Sequence, residues 1–153
     1  DDCMQLVQSS GMTVVTQPIL IAERGDQYLL DIDASHHDCL YRCRAFLEAG
    51  VPLGAGSDAP FGNADPWLSM TAAVNRLTAA GRLVGAQERL TPEQALRLFT
   101  SSADDPGGPG RSVSVAAAAD FCLLDRSWQD ARSRLRREDV LATIRAGEVI
   151  YHR

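Results

Sequence analysis

Two short apolar runs, each carrying a proline, constrain the fold more than any other feature of this chain. The first, MTVVTQPILIA at 12–22, shows no clean alternation of apolar and polar positions. A near-continuous run of this kind suits a strand covered on both faces, as in a parallel sheet. Pro18 has no N–H to give to a ladder, so it must lie at or beyond the end of that strand. The second run, VPLGAGSDAP at 51–60, reads as a short strand stopped by Pro60. Between them, ERGDQYLLDIDASHHD reads as a long polar loop. Ser35 can then cap a helix that runs to Glu48, with Leu40, Cys43, Phe46 and Leu47 at helical spacing and Gly50 ending it. Strand, loop, helix, strand is a βαβ unit, so the two strands are expected to be parallel. The chain is read as α/β.

The flanking segments extend the pattern. Residues 3–11 (CMQLVQSSG) read as the end of a helix, with Gly11 where a C-cap falls. Trp67, Met70, Val74 and Leu77 lie at helical spacing between Pro66 and about Ala80. TPEQALRLFT at 91–100 carries a helix start, with Thr91 as N-cap, Pro92 at the first position and Glu93 in the first turn. SSADDPGGPGRSV breaks every periodicity and reads as a linker. Beyond it, AADFCLLD reads as a strand and 126–137 as an arginine-rich helix or loop. DVLATIRAGEVIYHR reads as strands around a turn at Ala146–Gly147.

Bulk properties narrow the classes of function. The 153 residues are 45% hydrophobic and 23% charged, which describes a globular chain rather than a disordered one. A complete (β/α)₈ barrel takes at least about 200 residues, so this length excludes one. No window approaches the run of about 18 apolar residues that a membrane helix needs, and no export signal is visible. The four cysteines (Cys3, Cys39, Cys43, Cys122) are too scattered for a disulfide scaffold, and a reduced, cytoplasmic setting is expected. All 15 basic residues are arginine, so the segment has no lysine for Schiff-base or carbamate chemistry. The net charge of −5 disfavours nucleic acid as a partner. Arg126, Arg132, Arg134, Arg136 and Arg137 are interleaved with acids and read as an ion-paired surface. Because the first residue is Asp1 rather than Met, the chain is expected to derive from something longer.

Chemistry concentrates at Gly56-Ser57-Asp58-Ala59-Pro60, at the end of the second strand. Active sites of parallel α/β proteins assemble at the carboxyl ends of strands. A carboxylate there, flanked by small residues, can ligate a metal or take a proton from water. The competing reading is a turn in which Asp58 only bonds nearby amides. His36, Cys39 and Cys43 form a second cluster, with soft ligands within eight positions and the two cysteines one helical turn apart. A structural zinc site is one reading of it; loop histidines with partly buried cysteines are the other.

GVPLGAGSDAPFGNADPW, preceded by VVTQP and followed by LTPEQAL and AADFCLLD, resembles the C-terminal part of a metal-dependent amidohydrolase. The nearest branch is amidohydrolase family 3, that of N-substituted formamide deformylase-like enzymes. The resemblance covers nearly the whole chain, in order. It implies a TIM-type (β/α)₈ amidohydrolase barrel with a small composite β-sandwich domain. Residues 1–103 would supply barrel strands seven and eight with their helices, 104–111 a linker, and 112–153 the C-terminal strands of the sandwich. Asp58 matches the aspartate that ends the last barrel strand, which contacts metal and orients or deprotonates the attacking hydroxide. Gln17, near the mouth of strand seven, would face substrate. The implied reaction is hydrolysis of a non-peptide C–N bond in a small amide, with a divalent metal, zinc by expectation.

The family's His-x-His motif, bridging lysine and mid-barrel histidines do not occur here; the histidines are His36, His37 and His152. One aspartate cannot hold a metal that needs about three protein ligands. The segment is therefore expected to be inactive alone, and to associate with itself or with a missing N-terminal portion through bare strand edges. Two other functions compete: a non-catalytic remnant acting as a binding or assembly module, and a small zinc-stabilised α/β domain built on His36, Cys39 and Cys43.

Overall fold

A computed structural model describes residues 2–153. The chain forms two compact units, the first running to Gly110 and the second spanning Arg111–Arg153.

The first unit begins with helix α1 (Asp2–Ser10), which ends on Gly11 in the left-handed region at φ +66°. Strand β1 (Val14–Thr16) pairs in parallel with β2 (Leu53–Ala55), with Val14 opposite Leu53 and Thr16 opposite Ala55. The Val14 N–H donates to the Pro52 carbonyl and the Gly56 N–H to that of Thr16, each at 2.9 Å, extending the ladder at both ends. The expected parallel pair is present, but its first strand is shorter than the apolar run. Pro18 caps helix α2 (Ile19–Asp31), so the second half of that run is a helical first turn. Ile19, Leu20 and Ile21 are all buried there. Proline has the φ of a helix start and lacks only an N–H that a first turn leaves unpaired, so it opens a helix as readily as it ends a strand. Residues 23–31 of the polar stretch expected as a loop are the body of α2, with Glu23, Arg24 and Gln27 on its exposed side.

The expected helix from Ser35 to Glu48 is divided. The Asp33 carboxylate, rather than Ser35, is the cap; it accepts from the Ser35 N–H at 2.8 Å and opens a 3₁₀ turn over Ala34–Cys39. Tyr41 adopts a left-handed backbone (φ +50°), and helix α3 (Cys43–Glu48) starts afresh. A fully buried arginine satisfies the carbonyls left by this break. Arg76 donates to Leu40 O at 2.6 Å, Tyr41 O at 2.8 Å and Val84 O at 2.9 Å. Arg76 lies just past helix α4 (Pro66–Asn75) in a left-handed C-cap at φ +57°. The periodicity reaching Leu77 therefore overshoots, and Leu77 is exposed. Glu88, also buried, accepts from the Ala45 N–H at 2.9 Å and lies 3.6 Å from Arg42 Nε. Asp65 caps α4 by accepting from the Trp67 N–H, and helix α5 (Pro92–Arg97) starts with a reciprocal Thr91–Gln94 capping box.

The second unit is an antiparallel sheet in the order β3 (Phe121–Leu124), β4 (Val140–Arg145), β5 (Glu148–His152). The β4–β5 turn is Ala146–Gly147, as expected, with φ +51° and +84°. Both residues on the left-handed side suit the right-handed twist of a two-residue hairpin. A four-residue helix α6 (Trp128–Ala131) leads into the arginine-rich segment, in which Arg126, Arg134 and Arg137 are ion-paired. Buried Asp139 accepts from Arg134 and lies 2.9 Å from Arg126 Nε, while Arg153 Nη2 lies 2.6 Å from Asp125.

Candidate active site

The carboxyl ends of β1 and β2 lie side by side, and each delivers one of the residues singled out in the sequence. Gln17 follows β1 directly and is half-buried, its carbonyl taken by the Leu20 N–H at 3.1 Å. Asp58 lies three residues beyond β2 and is exposed. Its backbone is left-handed at φ +57°, a region that aspartate tolerates better than most residues. The Asp58 carbonyl accepts from the Phe61 N–H at 2.8 Å and the Gly62 N–H at 3.0 Å, closing a tight turn. Ser57 Oγ accepts from the Ala59 N–H at 3.2 Å. Gly62 lets this turn fold back on itself, since a Cβ there would stand 2.2 Å from the Ser57 carbonyl oxygen. With the backbone bonds met by backbone and Ser57, the Asp58 carboxylate has no hydrogen-bond partner among the described residues. The reading of Asp58 as a carboxylate spent on local amides is therefore not what the structure contains.

Helix α2 forms one wall of this site. Glu23 Oε1 accepts from the Asn63 N–H at 3.2 Å, tying the helix to the loop after β2. Arg24 lies over the Phe61 ring, its Cζ 3.8 Å from the centroid. Tyr28, one turn further along α2, shares a hydrogen bond with Tyr41 at 3.1 Å between hydroxyl oxygens. The Tyr41 hydroxyl is held well above the usual phenol range, by burial first, then by the bond from Tyr28 and the nearby negative Asp58; Arg24 opposes the rise. Tyr41 therefore stays protonated at any physiological pH, within electrostatic reach of Asp58.

Arg24, Tyr28, Tyr41 and Phe61 were not legible as site residues. Arg24 and Tyr28 share a helix face only once 19–31 is known to be helical, and sequence periodicity gives no sign of where Tyr41 lies.

The second sequence candidate is not assembled. Cys43 is buried, and burial pushes its thiol up to about 11, whereas Cys39 and His36 are exposed. His37 Nε2 is 2.8 Å from the Ile32 carbonyl oxygen. Among the described residues no three His, Cys, Asp or Glu side chains come together to hold a metal ion. The donor set around Asp58 thus falls short of the three or so protein ligands that a catalytic metal needs. No helix among the described residues is long and apolar enough to cross a membrane.

Comparison with known proteins agrees with this architecture. Residues 7–151 match the model of the amidohydrolase family. The chain is 31% identical over 154 residues to the N-substituted formamide deformylase of Arthrobacter pascens, covering 97% of this chain and 28% of that protein. Among solved structures, an uncharacterized metal-dependent hydrolase from Pyrococcus furiosus superposes with a TM-score of 0.54 at 30% identity, over 65% of this chain and 20% of the other. A second uncharacterized metal-dependent hydrolase, from Pyrococcus horikoshii, gives 0.55 at 24% identity, over 70% and 24%. The chain therefore spans between a fifth and just over a quarter of the length of the relatives it matches. A mixed α/β chain matched from residue 7 to residue 151 belongs to the amidohydrolase family.

Proposed function

We propose that this chain is the closing portion of a longer metal-dependent hydrolase that cleaves the C–N bond of a small, non-peptide amide. The observation that carries the reading is the exposed, unpartnered Asp58 carboxylate at the carboxyl end of a parallel strand pair. In this reading β1 and β2 are barrel strands seven and eight within residues 1–103, 104–111 is a linker, and 112–153 completes a β-sandwich begun elsewhere in the protein. Asp58 takes the proton from the attacking water, a role for which a carboxylate at a strand end is suited. It is also the carboxylate that this segment offers to a divalent metal, zinc by expectation, whose other ligands lie outside it. Gln17, on the neighbouring strand end, faces the substrate. The left-handed turn fixed by Gly62 holds Asp58 in place without using its carboxylate oxygens.

The same reading makes the segment inactive by itself and soluble through association, with itself or with the remaining portion. The apolar side chains of Val149, Ile150 and Tyr151 on β5, all exposed, are the kind of surface such association covers. Hydrolysis of an N-substituted formamide, followed by release of formate, tests it. The 153-residue chain alone is expected to give no turnover with added zinc. The longer polypeptide is expected to turn over and to lose that activity to a chelator. Metal-dependent turnover by the 153 residues alone would contradict the reading.

A further inference from the structure

The Arg24 guanidinium has an aromatic partner but no anionic one. Its Cζ sits over the Phe61 ring, and among the described residues no carboxylate or carbonyl oxygen accepts from it. The nearest acid in sequence, Glu23, is engaged instead with the Asn63 N–H. Elsewhere in this unit Arg76 bonds three carbonyls, Arg89 bonds the Asn75 carbonyl, Arg82 pairs with Asp26, Arg44 with Glu48, and Arg42 lies near Glu88. Arg24 stands apart from them in both partner and place. The Phe61 beneath it closes the Asp58 turn through its own N–H, at 2.8 Å from the Asp58 carbonyl oxygen. A turn closed in this way brings residues 58 and 61 to within about 7 Å at Cα. A forked cation is thereby placed over the aromatic residue that closes the turn carrying an unpartnered carboxylate. Stacking on an aromatic face orders the guanidinium while leaving its N–H edge open, which is the geometry that grips a carboxylate with two parallel bonds.

We infer that Arg24, seated on Phe61, is a specificity-determining residue that selects amides bearing a carboxylate near the scissile bond. The inference rests on the proposed placement of the reaction at Asp58 and names the substrate class for it. The two charges divide the substrate between them: the anionic end lies along Arg24, and the neutral amide is left to the Asp58 side, where a second negative charge is repelled. Tyr28, one turn along the same helix, shares its hydroxyl hydrogen bond with Tyr41.

Titration of the 153-residue chain, followed by NMR of the Arg24 side-chain Nε–H and the Phe61 amide, tests the inference without metal or turnover. The probes are N-formylglycine and, as its uncharged counterpart, N-ethylformamide. N-formylglycine is expected to shift both signals and to bind at least about 10-fold more tightly than the neutral amide, the size of one charge-assisted contact. Arg24→Gln is expected to abolish that preference. Arg24→Lys keeps the charge without the fork and should retain only part of it. Asp58→Asn should leave the preference intact or enlarge it. Equal binding of the two probes, or a preference that survives Arg24→Gln, would overturn the inference. In the longer polypeptide, Arg24→Gln should lower kcat/KM for N-formylglycine about 10-fold and leave that for N-ethylformamide unchanged. Loss of turnover in Asp58→Asn with no Arg24 effect would sink the inference alone; full turnover in Asp58→Asn would sink the placement on which it rests.

Discussion

Gly62 and Arg76 show how single residues far apart in sequence decide where the site's side chains stand. A Cβ on Gly62 would lie 2.2 Å from the Ser57 carbonyl oxygen, and backbone cannot yield as a side-chain tip can. Gly62→Ala is expected to destabilise the chain by about 2 kcal/mol or more and to move Asp58, measured as a lower urea midpoint with an unchanged m-value. Arg76 works from beneath. Burial lowers its pKa from the usual guanidinium value, yet its three carbonyl acceptors span residues 40 to 84. Arg76→Ala would strand those carbonyls and leave a cavity, at a cost of about 3–5 kcal/mol. The same measurement reports it; a loss under about 1 kcal/mol would show that water replaces the guanidinium without difficulty.

At the scale of elements, what the sequence revealed depended on whether the determining interaction was local. The start of α5 was legible because Thr91, Pro92 and Glu93 mark it within three residues, to which the structure adds the Gln94 half of a capping box. Thr91→Ala should cost about 1 kcal/mol, seen in the thermal unfolding of the chain. The hairpin at Ala146–Gly147 was legible for a similar reason, from its turn; the parallel pairing of β1 with β2, though not local, was legible from the uniform apolarity of both runs and the connection between them. Helix α2 was not. Its buried first turn continues the β1 run without a change in composition, and short apolar runs look alike in strand and helix. The break at Tyr41 was invisible too, because it is paid for by Arg76, 35 residues away. The same limit applied at the site: Asp58 and Gln17 could be placed at strand ends, but the α2 wall depends on a helix that periodicity did not disclose.

For the molecule as a whole, the chain belongs to the amidohydrolase family while spanning about a quarter of the length of a matched relative, and among the described residues no metal-binding set comes together. Its second unit has its own electrostatic dependence. The Asp139 carboxyl is held below the usual carboxylate range, chiefly by its bond from Arg134. A depressed folded-state pKa contributes stability that is complete above the unfolded value, near 3.9, and is lost as pH falls through the folded one. Amide protection in β4 should therefore weaken as pH drops below about 4. Asp139→Asn should be less stable at neutral pH and should lose part of this acid sensitivity, the rest belonging to Asp120 and Asp125, which the Ala146 N–H and Arg153 hold below the usual range.

The proposed role of Asp58 is tested by the turnover of an N-substituted formamide by the longer polypeptide carrying Asp58→Asn. Asparagine keeps the shape of the side chain and removes its charge and basicity. A fall in kcat of about 10²–10⁴-fold is expected, the usual contribution of a positioned base, with the fold intact. Turnover within a few-fold of the unsubstituted protein would contradict that role.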